Sequence, residues 1–106
     1  LLFKKRGNGI VDIKREETGL SGRFVHYFDD GSVAELIFTK NKDNIITINH
    51  VGVPPQHRSA GLAAKLVKTS VEHFRADGVK VIPKCRYAAA QFRRHPEWSD
   101  LLAEAA

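Results

Sequence analysis

Hydrophobic positions follow two rhythms along this chain. Arg23-Phe-Val-His-Tyr-Phe28, Val33-Ala-Glu-Leu-Ile-Phe-Thr39 and Ile45-Ile-Thr-Ile-Asn-His-Val-Gly-Val53 are short runs rich in β-branched and aromatic residues, the signature of strands. Asp29-Asp-Gly-Ser32 and Lys40-Asn-Lys-Asp-Asn44 separate them with turn chemistry. The pattern predicts an antiparallel meander over 23–53, one face of which can pack on a helix. Pro54-Pro55 stops the third strand, because proline donates no ladder hydrogen bond. From Gly61 to Asp77 the rhythm becomes helical. Leu62, Leu66, Val67, Ser70, Val71 and Phe74 share one face, with Lys65, Lys68, Glu72 and Arg75 largely on the other. Gly78 sits where a left-handed C-terminal cap belongs.

Val79-Lys-Val-Ile82 reads as a buried strand closed by Pro83. Strand, helix and strand in succession imply a right-handed crossover, with this strand parallel to 45–53. A shorter helix is predicted from Tyr87 to Arg94, with Tyr87, Ala88, Ala90 (or Gln91) and Phe92 as its apolar positions. His95-Pro96 ends it. Trp98 and Leu101-Leu102 are expected to pack the tail on the core, and Ile10-Val-Asp-Ile13 to form a short first strand. Residues 1–9, ending in Gly-Asn-Gly, read as a flexible start in which Lys4-Lys5-Arg6 is a solvated terminus before it is a phosphate-binding arm. The fold class is α/β: one domain over 1–106, with a mixed, mostly antiparallel sheet, one long helix and one short helix.

Composition narrows the function. A chain of 106 residues suits one core. The single cysteine, Cys85, allows no internal disulfide, which fits a reducing, cytoplasmic setting. No apolar run reaches the roughly 18 residues of a membrane helix, and no secretory signal pattern occurs. Methionine is absent, position 1 included, so the chain reads as trimmed. The net charge of +5 suits an anionic partner or simply a lysine-rich surface.

The junction of the two rhythms carries the chemistry. In Val51-Gly-Val-Pro-Pro-Gln-His-Arg-Ser-Ala-Gly-Leu-Ala63 a strand passes through a basic, small-residue loop into the long helix. Helix N-termini present unpaired N–H groups and a partial positive charge, which suit a phosphate. Gly61 permits close backbone approach, Ala63 keeps the wall low, and His57 and Arg58 add positive charge. Ser59, Ala60 and Leu62 complete a candidate diphosphate cradle over 57–63.

Val51-x-Val-Pro-Pro-x-x-Arg58-x-x-Gly61-x-Ala63-x-x-Leu66 resembles the acetyl-CoA-binding segment of the GCN5-related N-acetyltransferases. Val81-Ile-Pro-x-Cys85-x-Tyr87 through Phe92-Arg-Arg-His-Pro-Glu-Trp98 resembles the small, single-domain branch of that superfamily. The resemblance spans about residues 23–102. It implies a minimal acetyltransferase fold and acetyl-CoA as co-substrate. The backbone of Val51 and Val53 would pair with the pantetheine arm, Arg58 to Ala63 would hold the pyrophosphate, and a V-shaped gap between the third and fourth long strands would admit the thioester. Two positions depart from the pattern: Ser59 stands where glycine is common, and Val51 where the branch often has threonine.

Three residues are candidates for catalysis. Cys85, between Lys84 and Arg86 at the start of the second helix, is placed where positive charge favours a thiolate. It is either a nucleophile that accepts the acetyl group or a buried structural thiol. His50 has the side chain of a general base for an ammonium substrate; strand alternation equally allows a surface or core histidine. The resemblance assigns Tyr87 the protonation of the leaving thiolate, against the plainer role of an aromatic plug. Glu35 is a lone carboxylate and a weaker base candidate.

His26, His50, His57, His73 and His95 lack metal-ligand spacing, so no metal is expected. Nucleophile-elbow and Walker patterns are missing. Arg93-Arg94-His95 complements a helix C-terminus. The function expected is acetyl transfer from acetyl-CoA to an unidentified amine, directly or through Cys85. A coenzyme A-binding module without efficient catalysis is the alternative. A small nucleic-acid binder ranks last, because basic residues are scattered and aromatics do not interleave with them. The oligomeric state is not encoded in any motif.

Overall fold

The computed structural model describes residues 12–103. Five strands form one sheet in the order β1-β2-β3-β4-β5: β1 Lys14–Thr18, β2 Ser21–Tyr27, β3 Val33–Lys40, β4 Ile45–Gly52 and β5 Lys80–Pro83. The first four are antiparallel neighbours, and β5 runs parallel to β4. The long helix α1, Leu62–Asp77, crosses between β4 and β5; the shorter α2, Arg86–Arg94, follows β5. Short 3-10 helices at Pro55–Ala60 and Pro96–Leu101 flank the two helices. No helix among the described residues is long and apolar enough to cross a membrane.

The predicted helical face is the buried one. Leu62, Leu66, Val67, Ser70, Val71 and Phe74 are the buried residues of α1. They meet Phe24, Leu36, Phe38, Ile46 and Ile48 from the sheet. Ser70 is tolerated there because its hydroxyl donates to the Val67 carbonyl at 2.7 Å, so no polar atom is left stranded. Gly78 ends α1 at φ 74°, with its N–H donating to the carbonyl of Arg75. The tail closes the core with Trp98 and Leu101. Leu102 is half-exposed and instead forms a parallel bridge with Val81.

The first strand differs from expectation. Ile10 and Val11 lie outside the described residues, Asp12 and Ile13 are not in a strand, and β1 is the charged segment Lys14-Arg-Glu-Glu-Thr18. Charges blunt an exposed sheet edge, so no hydrophobic alternation marks it. Arg15 replaces an apolar residue on the core side. Its guanidinium lies 5.5–5.8 Å from the ring centroids of Phe24, Phe38 and Phe74 and reaches Asp77 at 2.8 Å. A guanidinium can lie against aromatic faces by cation–π attraction while its N–H groups reach a carboxylate at the edge. The expected Lys4-Lys5-Arg6 arm and flexible start also fall outside the described residues.

Candidate active site

The site begins where two strands part. β4 pairs with β5 only from Ile45↔Lys80 to Ile48↔Pro83. The backbone N–H groups of Lys84 and Cys85 both donate to the Ile48 carbonyl, at 3.1 and 3.2 Å, and the chain then turns into α2. β4 continues through Gly52 with no strand beside it on that edge among the described residues. A bulge accompanies the parting. Phe38 pairs with Ile48 and Ile37 with His50, so Asn49 is the extra residue. It shifts the core-facing phase from Ile46 and Ile48 to Val51 and Val53, which pack partly against the core. The resulting open cleft has a volume of ≈ 710 Å³, within the range of small-molecule sites.

One end of the cleft is the loop entering α1. Gly61, at φ 69° and ψ 21°, links the 3-10 turn to the helix. Its left-handed backbone favours glycine, and an added Cβ would meet nothing within 4 Å. No side chain caps the start of α1, so the charge of its first turn is not met by a capping group. Arg58 is held at the rim by its Nε, which donates to the Val53 carbonyl at 3.1 Å. Arg58, Gly61, Ala63 and Ala64 all line the cleft. Ser59 and Ala60 are exposed in the 3-10 turn, while Leu62 is buried and anchors the helix start to the core.

His57 is engaged elsewhere. Its ring stacks on Phe28 with centroids 3.6 Å apart, and Nε2 lies 2.9 Å from Asp30 Oδ2. The Ser32 hydroxyl, the Ser32 N–H and His57 together hold the Asp30 carboxyl well below the usual carboxylate range. His57 therefore ties the loop to the β2–β3 turn. Its sequence neighbour Arg58 is the Lys/Arg side chain that lines the cleft among the described residues.

The catalytic candidates divide. His50, Tyr87 and Glu35 line the cleft. The exposed His50 ring lies over Gly52, where a Cβ would come within 2.6 Å of Nε2; glycine at position 52 makes room for it. Glu35 pairs across strands with Gly52, and its Oε1 accepts from Arg23 Nη1 at 2.8 Å. Arg23 also binds Glu16 and the Tyr27 hydroxyl. The Tyr87 phenol accepts from Gln91 Nε2 at 3.3 Å, and burial pushes its pKa above the ordinary value. Cys85 is not among the cleft-lining residues. It caps α2: its Sγ accepts from the Ala88 N–H at 3.3 Å, and the side chain packs partly against the core.

Sequence reasoning gave Glu35 little weight and did not identify Gln91 or Asp30. Gln91 follows Tyr87 by four residues on a helix, a spacing that places the two side chains together. Asp30 had no such signal, since it lies 27 positions before His57.

Comparison with known proteins agrees with this architecture. A family profile described as GCN5-related N-acetyl-transferase matches residues 23–101. The chain belongs to that family, which makes it a member of an acetyltransferase class. The solution structure of a Staphylococcus aureus protein described as GCN5-like shares the fold, with TM-score 0.65, 24% identity and 91% of each chain covered. A crystal structure of nourseothricin acetyltransferase is similar over 71% of this chain and 48% of its own, with 26% identity and TM-score 0.51.

Proposed function

We propose that this protein transfers an acetyl group from acetyl-CoA directly to an amine. The observation that carries the reading is the cleft at the parting of β4 and β5, with the α1 entry loop at one end and Tyr87 on its wall. Bound there, the coenzyme supplies an acyl thioester. The edge of Val51 and Val53 offers backbone groups to the pantetheine amides. Arg58 and the small-residue segment Ser59 to Ala63 face the diphosphate, with the α1 dipole behind them.

The amine nitrogen attacks the thioester carbonyl, and the carbon–sulfur bond breaks. Glu35 or His50 takes the proton lost by nitrogen, and the Tyr87 phenol protonates the departing thiolate. A phenol kept protonated at neutral pH suits that last role, and the hydrogen bond accepted from Gln91 leaves the tyrosine's own proton to point elsewhere. Direct attack is favoured over an acetyl-cysteine because Cys85 lies outside the cleft lining, whereas Glu35, His50 and Tyr87 line it. Proximity supplies much of the rate. The acceptor is defined only as an amine, and the chain fits the small, single-domain branch of the family.

A second reading is a coenzyme A-binding module with little turnover. It draws on Glu35 being committed to Arg23, which weakens a carboxylate as a base. Acetyl-CoA consumption measured with a panel of amines separates the two. Acetylated amine supports the enzyme; coenzyme binding with no product from any amine supports the module.

A further inference from the structure

The cleft has two sides of different charge. Arg58 and the entry to α1 line one, and Val33, Glu35 and His50 line the other. Strand alternation puts Arg23, Val25 and Tyr27 of β2 on one sheet face with Val33, Glu35 and Ile37 of β3, opposite Phe24, Leu36 and Phe38 in the core. Both helices bury their apolar residues on the core face, so neither covers this one. Here Arg23 Nη1 donates to Glu35 Oε1 at 2.8 Å, Nε to Glu16 Oε1 at 2.9 Å and Nη2 to the Tyr27 hydroxyl at 3.1 Å. The Tyr27 hydroxyl donates in turn to Glu16 Oε2. A planar guanidinium engaged at all three nitrogens holds its partners in one arrangement. It fixes Glu35 by one oxygen, and Glu35 Oε2 meets no donor among the described residues. Two carboxylates on one guanidinium leave a surplus negative charge at this end. Lys14, on the same face, is paired with Asp12 at 3.6 Å. Tyr27, 46% exposed, sits opposite Val33 and forms an apolar ledge with it.

A clamped carboxylate with one oxygen to spare, beside an apolar ledge, fits an ammonium group on an apolar stem. We infer that Arg23 is a positioning residue that holds Glu35 for the acceptor, and that the acceptor is a primary amine on an apolar stem with no carboxylate beside its nitrogen. Glu35 Oε2 receives the ammonium, the stem lies over Val33 and Tyr27, and His50 takes the proton before the nitrogen attacks. An α-amino acid brings its own carboxylate up to Glu35 and is rejected by like charge. The inference rests on the acetyl-transfer reading above but can fail separately from it.

Steady-state kinetics with acetyl-CoA and two matched pairs, tyramine with tyrosine and phenethylamine with phenylalanine, test the assignment on the whole chain and on Glu35→Gln, Arg23→Ala and Arg23→Lys. In each pair the amine should exceed the amino acid in kcat/KM by about tenfold or more, the order of one charge-assisted hydrogen bond. Glu35→Gln should remove most of that preference through a higher KM for the amine. Arg23→Ala should raise the same KM by about tenfold with acetyl-CoA affinity unchanged, and Arg23→Lys should recover part of the loss. An arginine with a merely structural role would move Tm, kcat and coenzyme affinity together. Where Arg23→Ala does not fold, Glu35→Gln and Arg23→Lys decide. Equal use of amine and amino acid, a preference that survives Glu35→Gln, or Arg23 variants with an unaltered amine KM overturn the assignment while acetyl transfer stands. No acetylated product from any amine overturns both.

Discussion

Gly61 separates what the fold requires from what the coenzyme requires. Its backbone is left-handed, at φ 69°. Alanine there pays the left-handed penalty, of about 1–2 kcal/mol. No atom lies within 4 Å of the added Cβ, so no steric term is added. For a chain of this size that cost lowers Tm by roughly 4–8 °C per kcal/mol. Asparagine tolerates the left-handed region better but puts a larger side chain beside the cleft. Stability should therefore rank glycine above asparagine above alanine. Acetyl-CoA affinity should rank glycine above alanine above asparagine. Thermal melts and calorimetry on Gly61→Ala and Gly61→Asn read the two orders independently. If affinity follows Tm, or if Gly61→Asn binds like the unsubstituted chain, the close approach of coenzyme to this backbone is wrong.

Other substitutions test the remaining roles. Tyr87→Phe should lower kcat by about 10²-fold or more, the scale of a lost general acid, with Tm little changed because the ring is partly exposed. Its pH–rate profile should also lose an alkaline limb, which in the unsubstituted enzyme lies above the ordinary tyrosine value because burial raises the phenol. Cys85→Ala should keep kcat within about threefold and lose about 1 kcal/mol of stability, the scale of a helix cap; intact mass after mixing with acetyl-CoA should show no acetyl-cysteine. Asp30 has a folded pKa below its ordinary 3.8, so its contribution is present above that value and lost as pH falls through the folded one. Asp30→Asn should lower Tm at neutral pH and flatten the acid side of the Tm–pH curve.

Much of the fold was legible because it follows local rules. The α1 face could be read directly, since helical spacing and burial coincide from Leu62 to Phe74. The turn after Phe28 and the stop at Pro54 followed from residues with fixed backbone preferences. β1 escaped because its stability comes from pairing with β2 and from Arg15 lying over three phenylalanines, neither of which leaves an apolar pattern. The site was legible as a segment but not as a surface. Arg58, Gly61 and Ala63 reach the cleft, whereas neighbouring His57 turns to Asp30, a contact set by tertiary packing. Cys85 shows the same limit: a residue just before a helix fits a thiolate and a cap equally well, and its place outside the cleft lining, with Sγ on the Ala88 N–H, is set by tertiary packing.

The central claim is that the entry to α1 grips the diphosphate of acetyl-CoA. Backbone amide NMR during titration with acetyl-CoA tests it most directly, with Tm followed alongside. The amides of residues 58–63 should shift together and saturate. At a hundredfold excess over Kd the protein should gain about 2.7 kcal/mol. Amides that stay in place, with an unchanged melting point, would contradict the account.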